Sequence, residues 1–346
     1  MQVIFRVDSS HKIGGGHLTR CLNLANYLIK RGISSLFICQ ELVGFDKKLL
    51  ENSFHKFKLL PATDNLIEDA RNTSDLITQE QKETNTLIID HYRIDFEWET
   101  FLKNYVNRLI IIDDLANKLH NCDVLINQVY NVEKKIYKNL VNDECKLFLG
   151  SKYIMLKNNF KKIRETIDFE KLDQKITNIH LFFSTSDELG LTIKYSKLLT
   201  ENFPNINLHI SVGNQFKYLE KLIELQKKTN RIFWIKNNSN MEKQMSYCQV
   251  AIGTPGMTTW ERACLGLPSM QMGITDYHDE IMNKLSDYGI CNWLGHVNKL
   301  NDEIFINKCK LFFKDKLSLK KMSKKCLNTV DGEGMERIYR IISKKG

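Results

Sequence analysis

Short apolar runs alternate along this chain with longer stretches whose apolar residues recur every three or four positions. Val3, Ile4, Phe5 and Val7 form the first run, the pattern of a parallel strand buried on both faces. Asp8, Ser9 and Ser10 break it. A turn follows at Ile13-Gly14-Gly15-Gly16, and Leu18, Cys21, Leu22 and Ala25 then mark one face of a helix. Further strands are predicted at 34–39, 56–60, 86–90, 109–113 and 124–127, with helices at 44–51, 65–82 and 96–106. After a charged stretch the pattern restarts, with strands at 179–183, 208–212, 232–235, 250–252 and 269–272. The helices there fall at 191–201, 239–247 and 258–265, followed by a helical tail from 301 and a closing helix over 330–342. Such alternation predicts an α/β fold of two Rossmann-like open parallel-sheet domains facing across a cleft. A length of 346 residues suits two domains. They are read as 1–157 and 172–346, with the crossing in 147–175.

Each domain has one turn with chemical promise. In the first, three consecutive glycines let the backbone turn sharply and leave it bare for a ligand. His17 falls where the helix should begin, at an end whose unpaired N–H groups and partial positive charge suit an anion. Imidazole is also the side chain fitted to proton transfer near neutral pH. The strand–turn–helix order places this turn at the carboxyl edge of the sheet, where open α/β folds bind ligands. It is not a dinucleotide fingerprint, since His17, Leu18 and Thr19 follow the glycines directly. On spacing alone, a tight connection with a structural histidine accounts for the stretch as well.

In the second domain a strand runs into Gly253-Thr254-Pro255-Gly256 and then a helix whose first turn holds Thr258 and Thr259. Hydroxyls and free N–H groups there would make a diphosphate cradle, and Glu261 is placed to accept from two ribose hydroxyls. A capped helix with a surface Glu explains the same residues. Polar groups at other predicted strand ends join the candidates: Asp8 with Arg6, Asp90-His91-Tyr92, and Asp113-Asp114. No histidine or third acid accompanies Asp113-Asp114 in sequence, so no metal site is expected.

Composition narrows the class. Hydrophobic and charged contents of 42% and 26% are those of an ordinary globular protein. Nine cysteines without a C-x-x-C pair read as reduced thiols, and hence as a cytoplasmic protein. No apolar run reaches the ~20 residues that span a bilayer, and the start reads as a strand rather than a signal peptide; no membrane insertion is expected. The net charge of +9 owes much to lysines 308, 310, 314, 316, 320, 321, 324 and 325. Without interleaved aromatics these read as a solvated helix face and not a nucleic-acid site. A basic protein suits a polyanionic small substrate.

The core I-G-x-G-H-x-x-R-C, here Ile13 through Cys21, resembles the opening of the PseG family of nucleotide-sugar hydrolases, which are similar in fold to MurG-like GT-B glycosyltransferases. Asp90-His91-Tyr92 resembles the family's D-x-Y, and Ile112-Asp113-Asp114, 123–128 and 149–156 are similar to further family segments. Gly256-Met257-Thr258-Thr259-Trp260-Glu261-Arg262 with Leu265-Gly266-Leu267-Pro268 resembles G-G-x-T-x-W-E-R…L-G-L-P, and Asp331-Gly332-Glu333-Gly334 the terminal D-G-x-G. The resemblance covers most of the chain.

It implies a GT-B-like fold and cofactor-free hydrolysis of a UDP-linked 2,4-diacetamido-2,4,6-trideoxyhexose, as in pseudaminic acid biosynthesis. UDP and the free sugar would be released with inversion at C1. By that likeness His17 is the general base and Tyr92 positions sugar or water. The implied substrate contacts are Asp8, Gly14, Gly15, Gly16 and Arg20 in the first domain, on the sugar side. In the second, on the diphosphate side, they are Asp187, Gly256, Met257, Thr258, Thr259, Glu261, Tyr277 and His278. The chain departs from the family at Ser184-Thr185-Ser186-Asp187, where G-G-S-D is usual, and at Thr275-Asp276-Tyr277-His278, where A-x-N-Q is usual. It departs again at Thr254-Pro255, inside the G-A-G-G turn. Two other readings stand beside the hydrolase: an inverting GT-B glycosyltransferase, with His17 activating an acceptor hydroxyl, and a non-catalytic sugar-nucleotide binder.

Overall fold

A run buried along its whole length suits the middle of a parallel sheet, and β1 (Gln2–Val7) lies there. The structure is a computed structural model describing residues 1–10, 13–45, 47–80, 85–275 and 279–344. The first sheet continues with β2 (Ser34–Gln40), β3 (Lys56–Leu60), β4 (Asn85–Asp90), β5 (Arg108–Ile112), β6 (Val124–Asn127) and β7 (Lys146–Leu149). Its order is β3-β2-β1-β4-β5-β6-β7, with every pair parallel. The second sheet is built from β8 (Asn178–Phe182), β9 (Asn207–Val212), β10 (Ile232–Lys236), β11 (Val250–Gly253), β12 (Ser269–Gly273) and β13 (Asn292–His296). It runs β10-β9-β8-β11-β12-β13, again all parallel. Both sheets thus have the strand order of a Rossmann fold, which reverses direction beside the first strand.

β7 and β13 are the two edge strands absent from the sequence reading. β7 is only partly buried, falls inside the stretch read as an interdomain crossing, and is four residues long. β13, Asn-Trp-Leu-Gly-His, lacks an apolar run because an edge strand needs only one covered face.

The chain divides into two compact units, Met1–Asn158 with Gly332–Gly346, and Asn159–Asp331. The expected second domain, 172–346, therefore ends too late. The closing helix Gly334–Ser343 packs on the first sheet, where Met335, Ile338, Ile341 and Ile342 join Val3, Phe5, Leu24 and Leu28 in one core. Glu336 accepts from Tyr27 and Arg31 at 2.6 and 3.0 Å. Gly334 meets the chain at Ile154 so closely that a Cβ would lie 2.1 Å from the Ile154 carbonyl oxygen. The helix's apolar stripe is matched to the first core, and sequence adjacency to the second unit does not decide where it goes. In the helix Lys316–Thr329 the lysines stand outward, opposite buried Leu319 and Cys326. Among the described residues no helix is long and apolar enough to cross a membrane.

Candidate active site

Where β1 and β4 lie side by side their following loops depart toward opposite faces of the sheet, opening a crevice at the carboxyl edge. Val7 pairs with Asp90 at that edge. The glycine turn leaves β1, and Asp90-His91-Tyr92 leave β4. Gly14 takes φ +78° and donates its amide to the Ser10 carbonyl at 2.8 Å, which closes the turn. Around Gly15 and Gly16 a Cβ would meet nothing within 4 Å, so their backbone is bare. The helix Gly16–Ile29 starts there with no side-chain cap and no acid in its first turn.

His17 and Arg20, three residues apart, share the helix face that looks at the end of β4. His17 Nδ1 lies 2.6 Å from Asp90 Oδ1. Arg20 donates to both oxygens of Asp90, from Nε at 2.5 Å and from Nη2 at 2.6 Å, and through Nη1 to Asp114 Oδ2 at 2.6 Å. Burial pushes the Asp90 carboxyl up, but the Arg20 guanidinium and the His17 bond outweigh it and hold it well below the usual carboxylate range. An ionised Asp90 can only accept, so His17 Nδ1 carries a proton and donates it. Nε2 of the neutral ring is then left as the acceptor. Arg20 Nη2 also lies 3.3 Å from Nδ1, but two donors cannot bond each other, and the shorter carboxylate contacts set the roles. His17 is 9% exposed. The Tyr92 ring stands edge-on to it, centroids 4.5 Å apart and planes at 88°, and is itself half open to solvent.

Asp8 lies deeper. Its Oδ1 accepts from Arg6 and the Gln40 amide at 2.6 and 2.7 Å, and its Oδ2 from Arg6 and His91 at 3.1 and 2.9 Å. Four contacts within the fold thus hold its two oxygens behind the turn. Arg6 in turn bonds Asp69, which also accepts from Gln40 and the Trp98 indole. His91 donates to Asp8 from Nε2 and accepts the Arg93 and Ile94 amides on Nδ1. The pair Asp113-Asp114 separates: Asp113 caps the Leu115 and Ala116 amides, and Asp114 holds Arg20.

The second unit has its own reversal, between β8 and β11. Gly253 ends β11 where a Cβ would fall 2.0 Å from the Phe182 carbonyl oxygen and 2.5 Å from Arg262 Nη2. Arg262, fully buried, donates to the carbonyls of Thr254 and Phe182, both at 3.3 Å, and so ties the two strand ends together. Burial lowers its guanidinium to about 10. Gly256, at φ +135°, is exposed and begins the uncapped helix Met257–Cys264. Thr258 is buried in the first turn, with Met257 and Glu261 partly buried beside it.

Two of the expected contact residues are also engaged within the fold. The Thr259 hydroxyl donates inward to Gln271 Oε1 at 2.7 Å, because its helical position faces β12. Asp187 is buried and accepts the Leu191 and Thr192 amides at 2.9 and 2.8 Å, capping the helix Leu191–Asn202. Burial, against those bonds, raises its carboxyl. Ser184, where the resembled family has glycine, takes φ +80°, so the loop keeps a glycine-type backbone without the glycine. Tyr277 and His278 lie outside the described residues.

Asp90 and Asp114 act on His17 and Arg20 from 73 and 94 residues away. The polar end of the run LIID was a visible signal for Asp90; its partner was not, because only sheet order brings β4 beside β1. Arg262 was visible only as the last residue of the resembled W-E-R motif, with nothing to show that it reaches the end of β8.

Two Rossmann-type parallel sheets, each with its loops gathered at the carboxyl edge where strand order reverses, define a GT-B-like protein. Comparisons with known proteins agree with that class. No family model matches the chain. It is 27% identical over 321 residues to the uncharacterized protein MJ1062 of Methanocaldococcus jannaschii, an alignment that takes in 89% of this chain. The chain spans 62% of the length of that relative. It is 29% identical over 247 residues to the UDP-2,4-diacetamido-2,4,6-trideoxy-beta-L-altropyranose hydrolase of Campylobacter jejuni, covering 71% of this chain and 82% of that one. Among solved structures, MurG of Acinetobacter baumannii superposes with a TM-score of 0.68 over 99% of each chain at 13% identity, a shared fold.

Proposed function

We propose that this chain is a sugar-nucleotide enzyme: a hydrolase that cleaves a UDP-linked 2,4-diacetamido-2,4,6-trideoxyhexose to UDP and the free sugar, inverting C1. The observation that carries the reading is the 2.6 Å bond from His17 Nδ1 to an Asp90 carboxylate clamped by Arg20. That bond leaves Nε2 as a base at the rim of a bare glycine turn. Nε2 takes a proton from water as its oxygen bonds C1. The C1–O bond to the diphosphate breaks on the other side, and UDP leaves with the electron pair. Diphosphate is a good leaving group, so stabilising its charge suffices and no strong acid is needed.

In this reading Tyr92 confines the sugar or water beside the imidazole, and Arg20 works through Asp90. The Gly15 and Gly16 backbone faces the sugar side. The Gly256 turn, the first-turn amides beyond it and Thr258 take the diphosphate, and Glu261 the ribose. Support for the substrate class comes from the 29% identity to the Campylobacter jejuni hydrolase, which is named for that sugar. The same base would serve an inverting transferase, with an acceptor hydroxyl in place of water.

The test is to incubate the purified chain with a panel of UDP- and CMP-linked amino sugars and follow nucleotide release. UDP release without an acceptor, lost in His17→Ala, is the expected result. Binding of the UDP-sugar with no release until an acceptor is supplied would replace the hydrolase by a transferase.

A further inference from the structure

Cys122 and Cys145 stand with their sulfurs 3.5 Å apart at the amino edge of the first sheet, away from the turns just described. Cys122 precedes β6 and Cys145 precedes β7. The parallel pairing of Val124 with Lys146 brings the two short approaches side by side, and Lys146 donates its amide to the Asp123 carbonyl at 3.0 Å. Of the nine cysteines, Cys145 is the one that is partly exposed; the other eight are buried. Cys122 also borders a cavity of about 560 Å³, whose wall includes Lys103, Arg108, Glu144 and Lys146.

The surroundings separate the two sulfurs. The hydrogen bond from Cys122 lowers Cys145 against the effect of burial, with nearby His120 and Lys103 adding positive charge and Asp123 opposing them. Cys122 is pushed the other way and keeps its proton. A partly exposed thiol in a positive environment is the reactive kind, and a buried neighbour in contact with it can resolve an adduct.

We propose that Cys122 and Cys145 form a reversible disulfide site for low-molecular-weight disulfides of the glutathione class, with Cys145 attacking and Cys122 resolving. The Cys145 thiolate attacks one sulfur of the small disulfide, forming a mixed disulfide and expelling one thiolate. Cys122 then gives its proton to solvent and attacks the Cys145 sulfur, expelling the second thiolate. The two cysteines lose two electrons and the small disulfide gains them, leaving two small thiols. The sulfurs start in contact at 3.5 Å and must close to about 2.0 Å.

The experiment treats the full chain with oxidised glutathione, quenches by alkylation, and follows intact mass and linked peptides. Wild type is expected to lose two hydrogens, with Cys122 joined to Cys145. Cys122→Ser should instead hold one glutathione on Cys145, and Cys145→Ser should react at neither position. Cys145 should react about a hundredfold faster than any of the seven cysteines outside the pair. Should a variant fail to fold, the wild-type peptide map and rate order still decide. A persistent glutathione adduct on wild type, first reaction at another cysteine, or equal reactivity of Cys145→Ser overturns the proposal.

Discussion

The two sheets share a strand order and differ in what fills the crevice where that order reverses. In the first unit the crevice is backed by ionised side chains: Asp90 held by Arg20 and His17, and Asp8 held by Arg6 and His91. In the second it is made of backbone, with left-handed or glycine-only conformations at Ser184, Asp187, Gly190 and Gly256 and carbonyls tied by Arg262. The same contrast runs through the buried histidines. His120 sits between Glu99 and Asp113 and is raised to about 9, burial being outweighed by both carboxylates. His180, on β8, has no carboxylate bonded to it, and burial with the Arg262 charge nearby drives it well below its ordinary value. In the proposed reading, one topology thus supports two kinds of site. Fixing a proton acceptor needs charges locked in direction; receiving an anion needs exposed amides and room.

Substitutions at the two crevices should separate these designs. His17→Ala is expected to reduce UDP release by about 10²–10⁴-fold with little change in Tm. Asp90→Asn should lose activity on a similar scale and also about 3 kcal/mol of stability, since buried Arg20 keeps only Asp114 as a charged partner. Turnover and thermal melts on the same preparations check both, and an Asp90→Asn enzyme with full turnover would remove the dyad from the mechanism.

The glycines offer the next contrast. Gly253→Ala places a Cβ against the Phe182 carbonyl and Arg262 and is expected to cost about 2–3 kcal/mol. Gly16→Ala, with open space around it, should raise stability by about 0.4–1 kcal/mol while raising KM for the UDP-sugar. Denaturant melts with kinetics distinguish the structural glycine from the bare one.

The histidines give opposite pH windows. His120 is raised in the fold, so its contribution is complete below pH 6.5 and is lost as the pH climbs through about 9. His180 is lowered, so its contribution is complete above pH 6.5 and is lost as the pH falls below it. Hydrogen exchange across pH should therefore find the first unit loosening toward alkali, by on the order of 3 kcal/mol from a shift of 6.5 to about 9, and the second loosening toward acid. His120→Gln and His180→Gln should flatten the corresponding arm; an unchanged profile would show that neither ring carries it. A small effect, of the size expected for Gly16→Ala, should come from Ser184→Gly. It relieves a non-glycine residue at φ +80° and should gain roughly 0.5–1 kcal/mol in Tm-derived stability.

Among the described residues, eleven of thirteen strands were legible from their apolar positions; the interior ones are covered on both faces and must be apolar throughout, and the edge strands β3 and β10 still carry enough apolar residues to be read. β7 and β13, at the edges, lacked that constraint. At the candidate site the glycine turn and His17 after it were legible because both are local, while Arg20 entered only through the family resemblance. The roles of Thr259 and Asp187 were not legible, since a hydroxyl or carboxylate at a helix start reads the same whether it faces a ligand, a neighbouring strand or its own helix. Asp8 shows the same limit: a polar residue just past a strand marks the carboxyl edge, while its burial at 2% and its partners Arg6, Gln40 and His91 are set by the fold.

What the sequence determined by itself is therefore the local architecture: the alternation of parallel strands and helices, the two turns, and the helix that opens near His17. These follow from periodicity and backbone freedom, which are properties of neighbours in the chain. Tertiary structure alone decided that Asp90 and Asp114 clamp that helix, that Arg262 joins two strand ends, and that the closing helix returns to the first core. Each of those depends on electrostatic or apolar contacts between segments tens to hundreds of residues apart. Only strand order and core complementarity bring such segments together.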